Sequence, residues 1–316
     1  MKRPPLLWIV LMTTLNAISG ASCKHFGGNS SPMAPAAFVG TPTLEDVIYA
    51  VNANTSRVRS LQSDSASISS QGLPSLRANL AMEVPRRFRL RGSFLGPELD
   101  VGSNDEVFWM WAKSSENPGI FYARHEPSRT ANARHILPVE PEWLLEAFGL
   151  VHLDPTQIYE GPFPRSDGRI EIRSRFGTSG SLTRTLAIDS TYGWIVENRI
   201  ENANGQVVAA TRASQYRFYE EAGVSLPHRI EFDLPPAQLS FAIDAAQYSI
   251  NQLMGDPLQL WSMPQMEGYP LVNVADMAPP ASSWQEGPAG APPPQMYPNR
   301  PRTGFHPRYR GYSSMR

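Results

Sequence analysis

The alternation of apolar and polar positions divides the chain into one clear helix, a short second helix and a long series of strands. After Thr43, the positions Leu44, Val47, Ile48, Val51, Thr55 and Val58 recur at spacings of three and four, which is one stripe along a helix. Thr43 suits an N-cap, and Asp46 three residues on makes a weaker version of the capping box. Such a stripe packs on a sheet. The period then changes. Residues 78–84, 88–94, 107–112 and 121–125 are short, rich in apolar or aromatic side chains, and separated by Pro, Gly or Asn. In the second of these, Arg87, Arg89 and Arg91 alternate with Phe88 and Leu90, so arginines take one face and apolar groups the other. Residues 113–120 have turn composition, and residues 140–148 read as a short helix with Pro141 in its first turn.

The second half reads as a meander. Residues 170–176, 182–188, 194–202 and 206–218 are strands joined by turn segments, the last by Asn204-Gly205, a pair suited to a tight hairpin. Asp167-Gly168 marks a turn before them. Two further strands, 227–233 and 239–248, flank Pro235-Pro236. Eight or more antiparallel strands, one early helix and a short second helix predict an α+β fold with a large, strongly curved antiparallel sheet. No internal repeat of fixed period is visible.

The ends have a different composition. Lys2 and Arg3 precede the uncharged apolar run at 6–15, and Gly20, Ala21 and Ser22 stand directly before Cys23. These are the three regions of a secretory signal peptide, 1–22. The run has about ten residues where a spanning helix needs about 20. Cys23 is the lone cysteine of the chain. Small residues before a cysteine resemble the lipobox of bacterial lipoproteins, although Gly20 stands where Leu is usual. An ordinary signal peptide with an incidental cysteine is the alternative. Lys24 after the cysteine, where sorting rules of diderm bacteria would read Asp as retention, fits an outer-membrane lipoprotein facing the periplasm. Residues 24–42 are rich in Gly, Ser, Pro and Ala and read as a flexible tether. The segment 276–316 carries nine prolines without apolar period and reads as a disordered tail. The β-rich domain is therefore expected at 43–275.

Charge and chemistry narrow the function. Without the signal peptide, 26 basic and 29 acidic side chains remain, which gives no global reason to expect nucleic acid as partner. No two of the six histidines lie at the helical spacing of a metalloprotease, and a single cysteine excludes thiolate zinc sites. No metal and no cofactor is expected. The Gly177-Thr-Ser-Gly-Ser segment lacks the spacing of a nucleophile elbow and reads as a turn. Glu98, Asp100, Asp105 and Glu106 read as solvated loop charges. Phe108, Trp109, Met110 and Trp111 are consecutive, so alternation gives one strand two apolar faces. Both faces could be ordinary core, or one could line a cavity.

Three stretches carry a resemblance: residues 43–63 (TLEDVIYAVNANTSRVRSLQS), residues 78–94 with 100–111 (ANLAMEVPRRFRLRGSF and DVGSNDEVFWMW), and residues 225–251 (SLPHRIEFDLPPAQLSFAIDAAQYSIN). The order of an opening helix, a basic-aromatic strand before a Trp-bearing strand, and a closing pair of strands resembles the LolA/LolB-like lipoprotein carrier family over about residues 43–252. The resemblance implies an unclosed β-barrel with helices over its open side and an apolar cavity for acyl chains. No catalytic arrangement with convincing spacing is found in the sequence, so an enzyme stands third behind a binding and a structural protein. The long tail and the residues 113–120 depart from the family pattern.

Two functions follow. In the first, an envelope lipoprotein anchored through Cys23 holds a lipid, or the acyl chains of another lipoprotein, in a half-barrel cavity. Phe88, Leu90, Trp109 and Trp111 are its candidate lining residues, and binding comes from burying methylenes without a charged partner in the cavity. In the second, the sheet is a solid core and the tail grips cell-wall polymer or a protein. Arg300, Arg302, Arg308, Tyr309, Arg310 and Tyr312 would make that contact through charge and stacking. A solvated extension is the plain alternative for the tail.

Overall fold

The computed structural model describes residues 32–113, 118–125, 141–177 and 180–277. Helix α1, Leu44–Thr55, starts at the expected place with the capping box complete. The Asp46 backbone N–H donates to the Thr43 hydroxyl, and the Asp46 carboxylate accepts from the Thr43 N–H and hydroxyl. These partners hold the Asp46 carboxyl below the usual carboxylate range. The helix ends a turn earlier than the apolar stripe predicts, because Val58 already belongs to the core beside the first strand.

Six strands follow as a meander: β1 (Ser60–Ser69), β2 (Leu76–Glu83), β3 (Arg87–Ser93), β4 (Pro97–Ser103), β5 (Val107–Ala112) and β6 (Ile120–Arg124). Helix α2, Pro141–Ala147, comes next. A second meander runs through β7 (Tyr159–Pro164), β8 (Arg169–Phe176), β9 (Leu182–Asp189), β10 (Ile195–Asn202) and β11 (Val207–Ser214). The expected single strand 206–218 breaks at Gln215, whose φ is 55°. Beyond the break, β12 (Arg217–Tyr219) and β13 (Val224–Leu226) form a separate two-stranded sheet. The chain closes with β14 (Arg229–Leu234), β15 (Leu239–Ala245), β16 (Ser249–Ile250), the helical turn α3 (Pro257–Leu260) and β17 (Leu271–Asn273).

Fifteen of these strands form one sheet in the order β17-β6-β5-β4-β3-β2-β1-β15-β14-β11-β10-β9-β8-β7, with β16 beside β1. Among the described residues the path does not return on itself: β17 and β7 stand at its two ends, so the sheet is an unclosed barrel. β1 and β15 join the two meanders through Ala66↔Ala245 and Ile68↔Ile243. All pairs in the sheet are antiparallel except β17 with β6, a departure from the all-antiparallel expectation. The fold is α+β, as the sequence pattern predicts.

Both helices cover the same face, here the inner one. Val47 and Val51 of α1 pack with Ile172, Leu186 and Ile188 of β8 and β9. Trp143, Leu144, Leu145 and Ala147 of α2, with Phe148 and Leu150 after it, cover Leu61, Leu80, Met82, Phe88 and Leu90 from the first meander and Ile230, Phe232 and Ile243 from the last strands. Aromatic contacts tie this layer together: Phe232 lies 6.0 Å from Trp143 and stacks on Phe241 at 4.7 Å. No helix among the described residues is long and apolar enough to cross a membrane.

The outer face of β3–β6 is covered by a segment the sequence pattern does not announce. Residues 256–273 run across it. Trp261 is buried, and Met263, Met266 and Tyr269 pack on Trp109, Trp111 and Ile120. Arg89 fixes this strap. Its guanidinium binds Asp100 at 2.8 Å and donates to the carbonyls of Gln259, Leu260 and Ser262 at 2.7, 3.0 and 2.9 Å. Asp100 also accepts from the Trp109 indole at 3.0 Å, so the expected loop charge is a buried anchor. The remaining charges of that group stay near the surface: Asp105 pairs with Arg87 and Glu98 with Lys113.

The N-terminal stretch expected as a tether also makes contacts where it is described. The Ala37 N–H donates to the Thr191 carbonyl at 2.7 Å, and Phe38 packs against the cluster under α1.

Candidate functional site

On the inner face, side chains alternate along every strand, and register places them in rows. One row joins Ser174, Arg184 and Ile200, and the next joins Ile172, Leu186, Asn198 and Thr211. Toward the end where β8 stops and β9 starts, the row is Phe176 with Leu182. That end forms one rim of the sheet. Along it the apolar layer continues but is only half-buried: Leu76, Leu99, Phe176, Leu182, Val208 and Phe241 all pack on the core without being enclosed by it. Toward the opposite end, Val47 and Val51 of α1 with Val151 and Leu153 cover Ile170, Ile188 and Ile195.

Arg184 interrupts this layer one row below the rim. Its guanidinium meets the Glu146 carboxylate of α2 through both nitrogens, at 3.1 and 2.7 Å, and its Nε donates to the Asn198 side chain at 3.2 Å. Asn198 in turn donates to Glu146 at 3.4 Å. The ion pair is largely enclosed, with side-chain exposures of 16% for Arg184 and 19% for Glu146. Burial pushes the Glu146 carboxyl above the usual carboxylate range, opposed by Arg184 and Asn198. Two buried polar atoms of the same helix have no hydrogen-bond partner among the described residues, the Trp143 indole N–H and one oxygen of Glu142. The other oxygen of Glu142 lies 3.6 Å from Arg86.

The four expected cavity residues fall on two faces. Phe88 and Leu90 point into the inner layer, paired across β2 with Met82 and Leu80. Trp109 and Trp111 point to the outer face under the strap. Alternation on β5 is as expected, with Phe108 and Met110 on the face opposite the tryptophans. Since the two pairs do not share a layer, only Phe88 and Leu90 could border an inner ligand. Arg184 and Glu146 lie within the inner layer, a charged pair for which the sequence reading made no allowance. The sequence carried a signal for Arg184. Leu182, Arg184, Leu186 and Ile188 share one strand face, and an arginine between leucines on an apolar face is the informative exception. Glu146 gave no such signal, because only packing shows which side of a two-turn helix is covered. Cys23, the apolar run at 6–15 and the tail residues Arg300, Arg302, Arg308, Tyr309, Arg310 and Tyr312 lie outside the described residues.

Among the described residues, no group of three or more His, Cys, Asp or Glu side chains is placed to hold a metal ion. His125 sits near Ser103, at 3.3 Å, but the same Nε2 lies 2.8 Å from the Asn104 carbonyl, which can only accept. That nitrogen therefore carries the proton and is no base for the serine.

No family model and no curated protein matches the chain. Solved structures do. A putative outer membrane lipoprotein-sorting protein domain from Vibrio parahaemolyticus is 10% identical, covering 68% of this chain and 97% of its own, with a TM-score of 0.41. A LolA superfamily protein from Nitrosomonas europaea is 9% identical over 70% of this chain and 98% of its own, with a TM-score of 0.43. A DUF1329 family protein from Desulfovibrio piger is 10% identical over 69% and 97%, with a TM-score of 0.44.

Proposed function

We propose that this protein is a noncatalytic envelope lipoprotein that binds an acyl chain against the inner face of its open sheet. The half-buried apolar rim carries this reading. Leu76, Leu99, Phe176, Leu182, Val208 and Phe241 belong to different strands yet continue one apolar layer to the edge of the sheet. A chain laid along them would gain roughly 0.8 kcal/mol per buried methylene, so eight methylenes supply roughly 6 kcal/mol before the losses of binding. Cys23 would carry the lipid anchor, and the protein would face the periplasm, in keeping with the signal-like residues 1–22.

A neutral fluorescent acyl probe titrated into the full chain tests the reading. Binding should saturate. Leu182→Trp and Val208→Trp, which fill the rim, should abolish it, while Asp233→Trp on the outer face should leave it intact. The candidates Phe88 and Leu90 give a second readout. Truncating a tightly packed Phe or Leu typically costs about 2–5 kcal/mol, and a side chain bordering a ligand site should lose less stability while changing probe uptake. Absence of saturable binding in the parent chain would leave a solid core and favour the structural reading.

A further inference from the structure

We propose that the inner face selects acyl chains with an anionic head, a carboxylate or a phosphate, and that Arg184 receives that head in exchange for Glu146. The inference rests on the acyl-binding reading and names the ligand class of that same site.

The placement favours it. Arg184 stands on the same strand face as Leu182, two residues deeper, so its backbone lies about 7 Å in from the rim along the strand. A chain seated on Phe176, Leu182 and Val208 with its head inward brings the head to Arg184. The guanidinium already holds a carboxylate in a two-pronged contact, the geometry a fatty-acid carboxylate or a phosphate would reproduce. Asn198, 2% exposed, offers a further amide N–H on the same spot. Trp143 supplies a buried indole N–H one helical turn from Glu146 with no acceptor among the described residues, a donor ready for a head oxygen.

Stability gives little reason for the pair to exist. A buried ion pair is weak in net terms, and apolar replacements of similar volume are often as stable. Glu146 is also the weaker partner of Arg184 for two physical reasons. Burial raises its carboxyl, and Glu142 one turn earlier adds like charge. A ligand anion entering beside Arg184 relieves that position if Glu146 takes a proton or turns away. Arg86 is placed to hold Glu142, and Tyr159 of β7 lies near the cluster, its hydroxyl pushed up by burial.

Three twelve-carbon probes separate the alternatives: dodecanoate, dodecyl phosphate and dodecanol, each displacing the neutral fluorescent probe from the full chain. At least one anionic probe should bind roughly tenfold tighter than dodecanol, the scale of one charge-assisted hydrogen bond. Which anion leads distinguishes a free fatty acid from a phospholipid-type head. The double variant Arg184→Gln with Glu146→Gln keeps a neutral hydrogen-bonded pair in place. It should fold with the parent's thermal midpoint and bind all three probes alike. Glu146→Gln alone should tighten the anions relative to dodecanol. Equal binding of all three probes to the parent overturns this proposal and leaves the acyl-binding reading standing. Failure of every probe, dodecanol included, overturns that reading and this one with it.

Discussion

Gly102→Ala isolates the packing of the outer face, because the added atom has only one place to go. Gly102 of β4 lies directly across from Trp109 of β5. A Cβ built on it would sit 2.2, 2.5 and 2.8 Å from three atoms of the Trp109 ring, far inside contact distance. The indole cannot swing cheaply. It is fully buried, its N–H is held by Asp100 at 3.0 Å, and Arg89 lies over its ring at 5.6 Å. Overpacking costs about 1–3 kcal/mol, and losing the indole bond to a charged acceptor adds about 1.5–3 kcal/mol. Alanine returns about 0.5–1 kcal/mol relative to glycine through lower chain entropy. The expected net loss is about 2–5 kcal/mol, a fall in thermal midpoint of about 4–20 °C for a domain of this size. Gly92→Ala is the control. It is also a buried strand glycine, but its added Cβ meets the flexible ends of Leu76 and Ile68 at 3.0 and 3.4 Å, which can move aside, and the Leu99 Cβ at 3.3 Å, a few tenths of an ångström inside ordinary contact. Its change should stay within about 1 kcal/mol. Urea and thermal unfolding of the two variants decide the matter. Equal effects, or a Gly102→Ala loss below about 1 kcal/mol, would refute the claim that Trp109 is locked between β4 and the strap.

Two further outcomes are expected. His228 is buried with Nδ1 donating to the Ala245 carbonyl at 2.6 Å and Nε2 facing the Tyr219 hydroxyl at 2.9 Å, so the folded ring is neutral, and burial lowers its pKa below the ordinary value. The unfolded ring takes up its proton first as pH falls, so the stability present above about pH 6.5 is lost on acidification through the folded pKa. Thermal midpoints measured from pH 7.5 to 5 should therefore fall less steeply in His228→Gln than in the parent, and parallel curves would count against it. Replacing Cys23 with Ala should abolish acyl labelling and release the protein from membranes, whereas unchanged labelling would show that the anchor lies elsewhere.

Local pattern determined much of this protein. The stripe from Leu44 and the Thr43–Asp46 box fixed α1, since both lie within a few residues of each other and need no partner to be read. Alternation fixed β3, because a strand buried on one face alone must alternate, while β5 was legible from its apolar and aromatic run and the β8–β11 meander from its strands between turn segments. The resemblance over 43–252 extended this to an unclosed barrel. Tertiary structure alone decided the rest. β1, with the sequence SLQSDSASIS, is too polar to read as a strand, yet it lies mid-sheet because β2 and β15 satisfy its backbone from both sides. The strap 256–273 has no period of its own, and only the carbonyls that Arg89 gathers and the surface of Trp109 and Trp111 give it a course. Alternation could say that Trp109 and Trp111 share a face but not which face, since the sign of a face is set by what covers it. For the same reason the meeting of Arg184 with Glu146, 38 residues apart, was not in the sequence. Their contact depends on α2 lying across the inner face of the sheet, and burial there is what makes that ion pair chemically interesting.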